Sequence, residues 1–364
     1  MIVFNSMIVV VALLGIFYSA TTSQSLKKEN NPVPWIYAIL AMGYIVFWAG
    51  LRSGYIDTRT YISWFKAAPS GLNEALLLFS TDKNDKGFIF LEIIFKTLIS
   101  SDFHYWLFFI ALITGVPIAI GYRNHSLNFF YSIFLFISST TCTWMFNGIR
   151  QMLAASILFG FGYLIEKRKL YKFIIVLIIA SFIHGTAWLM FPVYFFVTDK
   201  PFGRRMFIFV LFALSFAVAL EPMMDSMETV LQNTQYASNL EQFVEDDGVN
   251  PLRVVFSAIP VILAFFKRKT LIRLNNKYMN MCVNMSIFAT GFFFVGMFTS
   301  GIMIGRIPLY FSLYNYVLLP YLFIKIYPNY KKSLYFLTTL IFCLFYYLLC
   351  RHIYYISDVL GNYN

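Results

Sequence analysis

Ala180-Ser181-Phe182-Ile183-His184-Gly185-Thr186-Ala187-Trp188 lies within the apolar stretch 171–197, and the topology of the chain turns on how that stretch is read. As one helix it is long enough to cross a bilayer, which takes about 20 residues. Broken at His184-Gly185, it makes a hairpin of two short helices and returns the chain to the side it came from.

The rest of the chain decides between the two. Residues are 59% hydrophobic and only 12% charged, with 20% aromatic. Soluble domains carry about twice that charged fraction. Apolar runs near spanning length occur at 1–20, 35–51, 103–121, 128–144, 149–165, 206–221, 253–266, 280–298, 306–324 and 333–351. Basic clusters lie at Lys27-Lys28, Arg123, Lys167-Arg168-Lys169 with Lys172, Lys200 with Arg204-Arg205, Lys267 to Lys277, and Lys325 with Lys331-Lys332. With 171–197 as a hairpin, all of them fall on one side. That side then holds 18 of the 28 Lys and Arg but only Glu29, Glu166 and Asp199 of the 17 acids. Basic loops face the cytoplasm, so this side is inside. A single span would put 200–205 across the membrane from the other clusters. The expectation is an all-α polytopic transmembrane bundle of about 12 spans, one integral membrane domain over 1–364 with both termini outside. The short hairpin arms thin the bilayer locally or line a cavity.

The net charge of +11 reflects these loops and does not point to nucleic acid. Cys142, Cys282, Cys343 and Cys350 lie in apolar runs without metal spacing and read as packing residues. Residues 1–20 lack a basic n-region and read as a retained first helix, with Ser19-Ala20-Thr21 a cleavage candidate. Two outward loops remain, 52–102 and 222–252. In the first, Gly87 to Lys96 reads as an amphipathic interfacial helix or as a further span that would break the sidedness. The second is acidic, densest at Glu245-Asp246-Asp247.

Six ionisable residues converge on the outer face: Arg52, Asp57, Arg150, His184, Arg253 and Arg306. A guanidinium beside hydrocarbon is costly and needs a reason. Arg150 follows the turn signal Asn147-Gly148, and its fork suits phosphate oxygens; the bland alternative is an interfacial anchor. Asp57 can orient Arg52 or Arg59 or act as a base, while a snorkelling arginine with a local ion pair is the alternative. His184 can be a general base, a donor to a phosphate or sugar hydroxyl, or a hydrogen-bonded core residue. As a metal ligand it has no nearby His or Cys. Arg306 lies between Gly305 and Pro308, and Arg253 follows the acidic loop, where Asp246 and Asp247 are ready partners. Trp64, Tyr61, Trp106 and Trp144 suit either sugar stacking or interfacial belts. No Walker, HExxH, GxSxG or GxGxxG motif occurs in the right context, so chemistry driven by bound nucleotide is not expected.

Three passages resemble the EpsG-like branch of Wzy-type oligosaccharide repeat-unit polymerases. They are Gly50-Leu51-Arg52 through Asp57 to Tyr61, Asn147-Gly148-Ile149-Arg150-Gln151-Met152-Leu153-Ala154, and Lys167-Arg168-Lys169 followed by Ala180 to Ala187. The half beyond residue 187 is similar only in hydropathy, its outward loop and Arg306. The resemblance implies a GT-C-like membrane glycosyltransferase working without metal or other cofactor at the outer face of the bacterial inner membrane. Such enzymes transfer a growing glycan from undecaprenyl pyrophosphate to the non-reducing end of an incoming lipid-linked unit. The charges at the outer face fit that reaction: Arg52, Arg150, Arg306 and Arg253 would bind the pyrophosphate, and Asp57 or His184 would be the base. Implied partners are the lipid-linked oligosaccharide, membrane lipid and a chain-length regulator protein. A flippase, an O-antigen ligase and an acyltransferase using His184 are the rival readings. The first should spread its charges along a path to both faces, the second carries a larger outward loop, and the third needs more His or Asp near His184.

Overall fold

The computed structural model describes residues 2–22, 32–215, 248–299, 301, 304–351 and 353–363. Lys27-Lys28, the close of the 206–221 run, and the acidic loop up to residue 247 with Asp246 and Asp247 lie outside the described residues. Nearly all described secondary structure is helical. Five helices are long and apolar enough to cross a membrane, and six further apolar helices are 10–17 residues long. Packing divides the chain into two compact units, Met1–Phe191 with Asn329–Asn364, and Pro192–Pro328.

The first unit contains α1 (Ile2–Thr21), α2 (Trp35–Gly50), α3 (Thr58–Ala67), α4 (Leu72–Leu77), α5 (Lys86–Leu98) and α6 (Phe103–His125). It continues through α7 (Phe129–Ser138), α8 (Ile149–Gly160), α9 (Tyr163–Glu166) and α10 (Leu170–Ile183). The helix Lys331–Cys350 and a short hairpin, β1 (Tyr355–Ser357) with β2 (Gly361–Tyr363), complete it. Side-chain caps begin two helices where the chain turns. Asp102 accepts from the His104 amide, and Asn128 from the Tyr131 amide, which satisfies donors left open at a helix start. α2 and α6 pack closely along their length. Gly115 makes room for Val46, which a Cβ would meet at 2.7 Å.

The packing sorts the helix ends. At one end, Phe4 of α1 meets Tyr55 and Phe146 at ring separations of 5.8 and 5.1 Å, and Tyr355 of the hairpin meets Phe146 at 6.4 Å. At the other, Tyr18, Tyr37 and Phe130 cluster, and Arg123 Nε donates to the Val33 carbonyl at 2.8 Å. Arg52 and Phe146 are bonded to each other at the first end. Arg123 and Lys331-Lys332 belong to the second.

The stretch 171–197 breaks where the sequence places the break. α10 stops at Ile183, His184 is extended at φ −153° and ψ 117°, and Gly185–Leu189 form a 3-10 turn before α11 (Met190–Val197). The polar loop 52–102 is not a loop but carries α3, α4 and α5. α5 is helical as expected. At 13 residues, with Lys86, Glu92 and Lys96 in it, it is not among the apolar helices of spanning character. It packs on α4, α6 and α10. Trp106 of α6 is the centre of that packing, 0% exposed, with Phe65 of α3 stacked on it at 5.4 Å and Phe88 and Phe95 of α5 at 5.6 and 5.4 Å.

The second unit contains helical residues 204–215 and the helices Pro251–Phe266, Arg268–Leu274, Lys277–Gly296 and Leu309–Tyr321, the last continuing through a π turn to Ile326. Its core is aromatic. Phe209, Phe288, Phe292 and Phe311 pack ring to ring, the last two stacked at 5.7 Å. Buried Asn284 donates to the carbonyls of Val197 and Asp199 at 3.2 and 3.0 Å, tying the end of α11 to this core.

Candidate active site

The site is built from three chain breaks at the first end of the first unit. Gly148 adopts a left-handed backbone, φ 66°, which a residue with a Cβ takes only at a cost. That turn launches α8 with Arg150 in its first turn. α10 ends one residue before His184. Between them comes Asp85, itself left-handed at φ 55°, at the head of α5.

Asp85 joins the other two. Its Oδ2 accepts from Arg150 Nη1 at 2.9 Å and lies 3.0 Å from His184 Nδ1, while its Oδ1 accepts from the Gly185 amide at 3.0 Å. Gly87 permits this approach, because a Cβ there would meet the Phe182 backbone at 2.8 Å. Burial pushes the Asp85 carboxyl up, but the hydrogen bonds from His184 and Gly185 and the Arg150 charge outweigh it and leave the group below its ordinary value. It is therefore ionised at neutral pH. A carboxylate on Nδ1 fixes the imidazole tautomer with the proton on Nδ1. Nε2 then carries the lone pair and makes no hydrogen bond among the described residues. Arg150 uses one of its five N–H groups on Asp85, and its Cζ lies 5.0 Å over the Trp64 ring.

Glu92 lies two turns along α5 from Asp85, 4% exposed, with no hydrogen-bond partner for Oε1 among the described residues. Burial raises its carboxyl to about 7, against the attraction of Arg150 and Lys96. A folded-state value above the ordinary one favours the neutral form, so the stability it contributes is full at low pH and lost as pH rises through about 7. Glu92→Gln is expected to leave thermal stability unchanged near pH ~4 and to raise it by about 1–3 kcal/mol near pH ~8. Melting curves in detergent at the two pH values check this, and equal effects at both would refute it.

Arg52 lies at the same end as Arg150 but is enclosed by protein. It is 0% exposed. Nη1 donates to the Ala49 carbonyl, and Nε to the Phe146 carbonyl at 3.1 Å and Thr58 Oγ1 at 3.2 Å. Its charge meets the carbonyl end of α2, which favours a cation, and the Phe146 ring at 5.9 Å. Burial lowers it to about 10, so it remains charged at neutral pH. It ties the loop after α2 to the turn that launches Arg150. Asp57 holds neither Arg52 nor Arg59 in an ion pair. Its backbone carbonyl instead receives the amides of Thr60 and Tyr61 at 3.0 and 3.2 Å, starting α3.

The hairpin β1–β2 closes over this loop. Ile356 pairs with Gly54, Ser357 Oγ donates to the Leu51 carbonyl at 2.6 Å, Tyr355 OH to that of Trp48 at 2.8 Å, and the Asp358 amide to Ser53 Oγ at 3.0 Å.

In the second unit, Val249 joins the segments that carry Arg253 and Arg306. Its amide donates to the Gly296 carbonyl at 2.8 Å, and its side chain would meet a Cβ at Gly305 at 2.4 Å. Asn250 caps the helix on which Arg253 stands. Among the described residues, no three His, Cys, Asp or Glu side chains stand close enough to hold a metal ion.

The EpsG family model matches residues 35–363, nearly the whole chain. The chain belongs to the EpsG family. No curated protein and no solved structure matches it. The EpsG family is of the Wzy-like polymerase type, which makes this a polysaccharide-polymerase-type membrane protein. Within this EpsG-family chain the structure brings Arg150 and His184 together, as the sequence reading requires of a shared site. Asp85 and Glu92 are the residues that reading missed. Glu92 carries a sequence signal, an acid four residues after Phe88 and three before Phe95 on the apolar stripe of α5. Asp85 sits in a polar segment of mixed charge, where only Gly87, two residues on, marks a close approach.

Proposed function

We propose that the protein polymerises lipid-linked oligosaccharide repeat units at the outer face of the bacterial inner membrane. It transfers the growing glycan from undecaprenyl pyrophosphate to the non-reducing end of an incoming undecaprenyl-pyrophosphate-linked unit. The observation that carries this reading is the meeting of Arg150 and His184 on Asp85, which supplies an anion donor and an oriented base side by side. The acceptor hydroxyl oxygen attacks the anomeric carbon, and its proton passes to His184 Nε2. The bond from that carbon to the pyrophosphate oxygen breaks, and undecaprenyl pyrophosphate leaves with the electron pair. The free N–H groups of Arg150 meet the charge that develops there, in the role a metal ion plays elsewhere. The same pyrophosphate role is proposed for Arg253 and Arg306 on their sequence pattern. Arg52 acts through the turn it holds, with Nη2 the donor left for a phosphate, and Asp57 is the second candidate base. By the tendency of basic loops to face the cytoplasm, the basic clusters at the opposite end of the first unit support an outward-facing site. A chain-length regulator protein is the proposed protein partner.

Arg150→Ala in a strain lacking the native gene is expected to abolish long glycan chains at normal protein level, with single-repeat product retained. Arg150→Lys is expected to recover part of the length distribution, because it restores charge without the fork. Electrophoresis of the surface glycan reads both. Unchanged chain length in Arg150→Ala would remove Arg150 from the mechanism.

A further inference from the structure

Four aromatic side chains suit sugar stacking by sequence: Trp64, Tyr61, Trp106 and Trp144. Trp144 is half-buried, its ring packed against Gly148, where a Cβ would meet it at 2.6 Å. Trp106 is sealed in the α3–α5–α6 core, and Tyr61 is buried. Trp64 is 45% exposed, three residues after buried Tyr61 and so at the edge of the buried face of α3. Its indole is held from two sides. The Tyr61 ring meets it edge-on at 5.4 Å and 90°, and the Arg150 guanidinium lies 5.0 Å from its centroid. Phe65, one residue on, is stacked on Trp106 and anchors this turn of α3. A large ring so braced is a rigid surface that loses little freedom when a ligand covers it.

We propose that Trp64 is the stacking platform for the pyranose ring next to the donor pyrophosphate. The inference rests on the reading of Arg150 as the pyrophosphate ligand. A sugar joined directly to a pyrophosphate held by Arg150 lies within one ring of Trp64. The axial C–H groups of a pyranose form an apolar, weakly positive face that matches the negative face of an aromatic ring. Binding energy gathered there, away from the breaking bond, orients the anomeric carbon toward the acceptor. The platform is specific for ring shape rather than for particular hydroxyls.

The test uses the full-length protein in detergent with lipid-linked repeat units as substrate. Synthesis of a glycan ladder by wild-type protein is the control for the underlying reading, and its absence would sink that reading before Trp64 is reached. Given a ladder, Trp64→Ala is expected to raise KM for the sugar-bearing donor about tenfold, the size of one lost stacking contact. Inhibition by undecaprenyl pyrophosphate, which has no sugar, is expected to stay within about twofold of wild type. Trp64→Phe is expected to restore most of the KM. An unchanged KM in Trp64→Ala overturns the platform. So does an equal loss of undecaprenyl pyrophosphate inhibition, which would make Trp64 a brace for Arg150.

Discussion

Asp85→Asn is expected to lower the polymerisation rate by about 10²–10⁴-fold, the range attached to a positioned acid–base group. The residue touches no substrate in this scheme, yet two functional side chains depend on its charge. An amide presents one acceptor oxygen where the carboxylate presents two, so it cannot serve Arg150, His184 and the Gly185 amide together. Its NH2 group placed toward His184 would favour the opposite tautomer, with the lone pair on Nδ1 and no acceptor facing the sugar. Arg150, released from its carboxylate, becomes free to bind pyrophosphate more strongly in the ground state. The expected signature is therefore a fall in kcat with KM for the donor unchanged or lowered. Asp85→Glu keeps the charge and is expected to recover part of the rate. A variant with normal kcat would show that the Asp85–His184 contact has no part in proton transfer.

Arg52→Ala is expected to destabilise the protein by about 3–5 kcal/mol, from the cavity it leaves and the carbonyls it strands. The side chain is among the largest in the chain to be fully buried. Its removal takes the donors from the Ala49 and Phe146 carbonyls at once. Arg52→Lys fits the space better but its ammonium cannot span both sites, so a smaller loss of about 1–2 kcal/mol is expected. Thermal unfolding in detergent measures both. Wild-type stability in Arg52→Ala would show that the loop after α2 is held without it.

Much of this end of the molecule was legible in the sequence because its breaks carry turn chemistry. Asn147-Gly148 marks the left-handed turn before Arg150, and His184-Gly185 marks the end of α10. These signals are local. Asp85 was hidden because its meaning is not local: its partners lie 65 and 99 residues away, and nothing in a mixed-charge segment singles out one acid. Arg52 was legible as an unusual charge, but its burial and carbonyl partners were not. At the edge of a span an arginine reads as exposed to ligand. Its partner Phe146 lies 94 residues away, and a hairpin some three hundred residues further on closes over its loop, which no periodicity near Arg52 reveals. Helix α5 shows a third case. Its amphipathic period predicts a helix correctly, but a half-apolar face packs against other helices as well as against lipid. Only Trp106 and its three aromatic neighbours decide which.

The stitching of Ser357 to Leu51 also sets an order of assembly. It closes a loop of 306 residues, among the longest separations this chain can form. Contacts of such range come late in folding, after the local helices exist. The segment around Arg52 is made early in synthesis and must wait, half-formed, for residues 355–358 to arrive. Through Arg52 the turn that aims Arg150 waits with it. The membrane helices can therefore be inserted one by one while the site itself stays unassembled, and a charge that would be costly in a finished catalytic cavity is locked in only when residues 355–358 are in place.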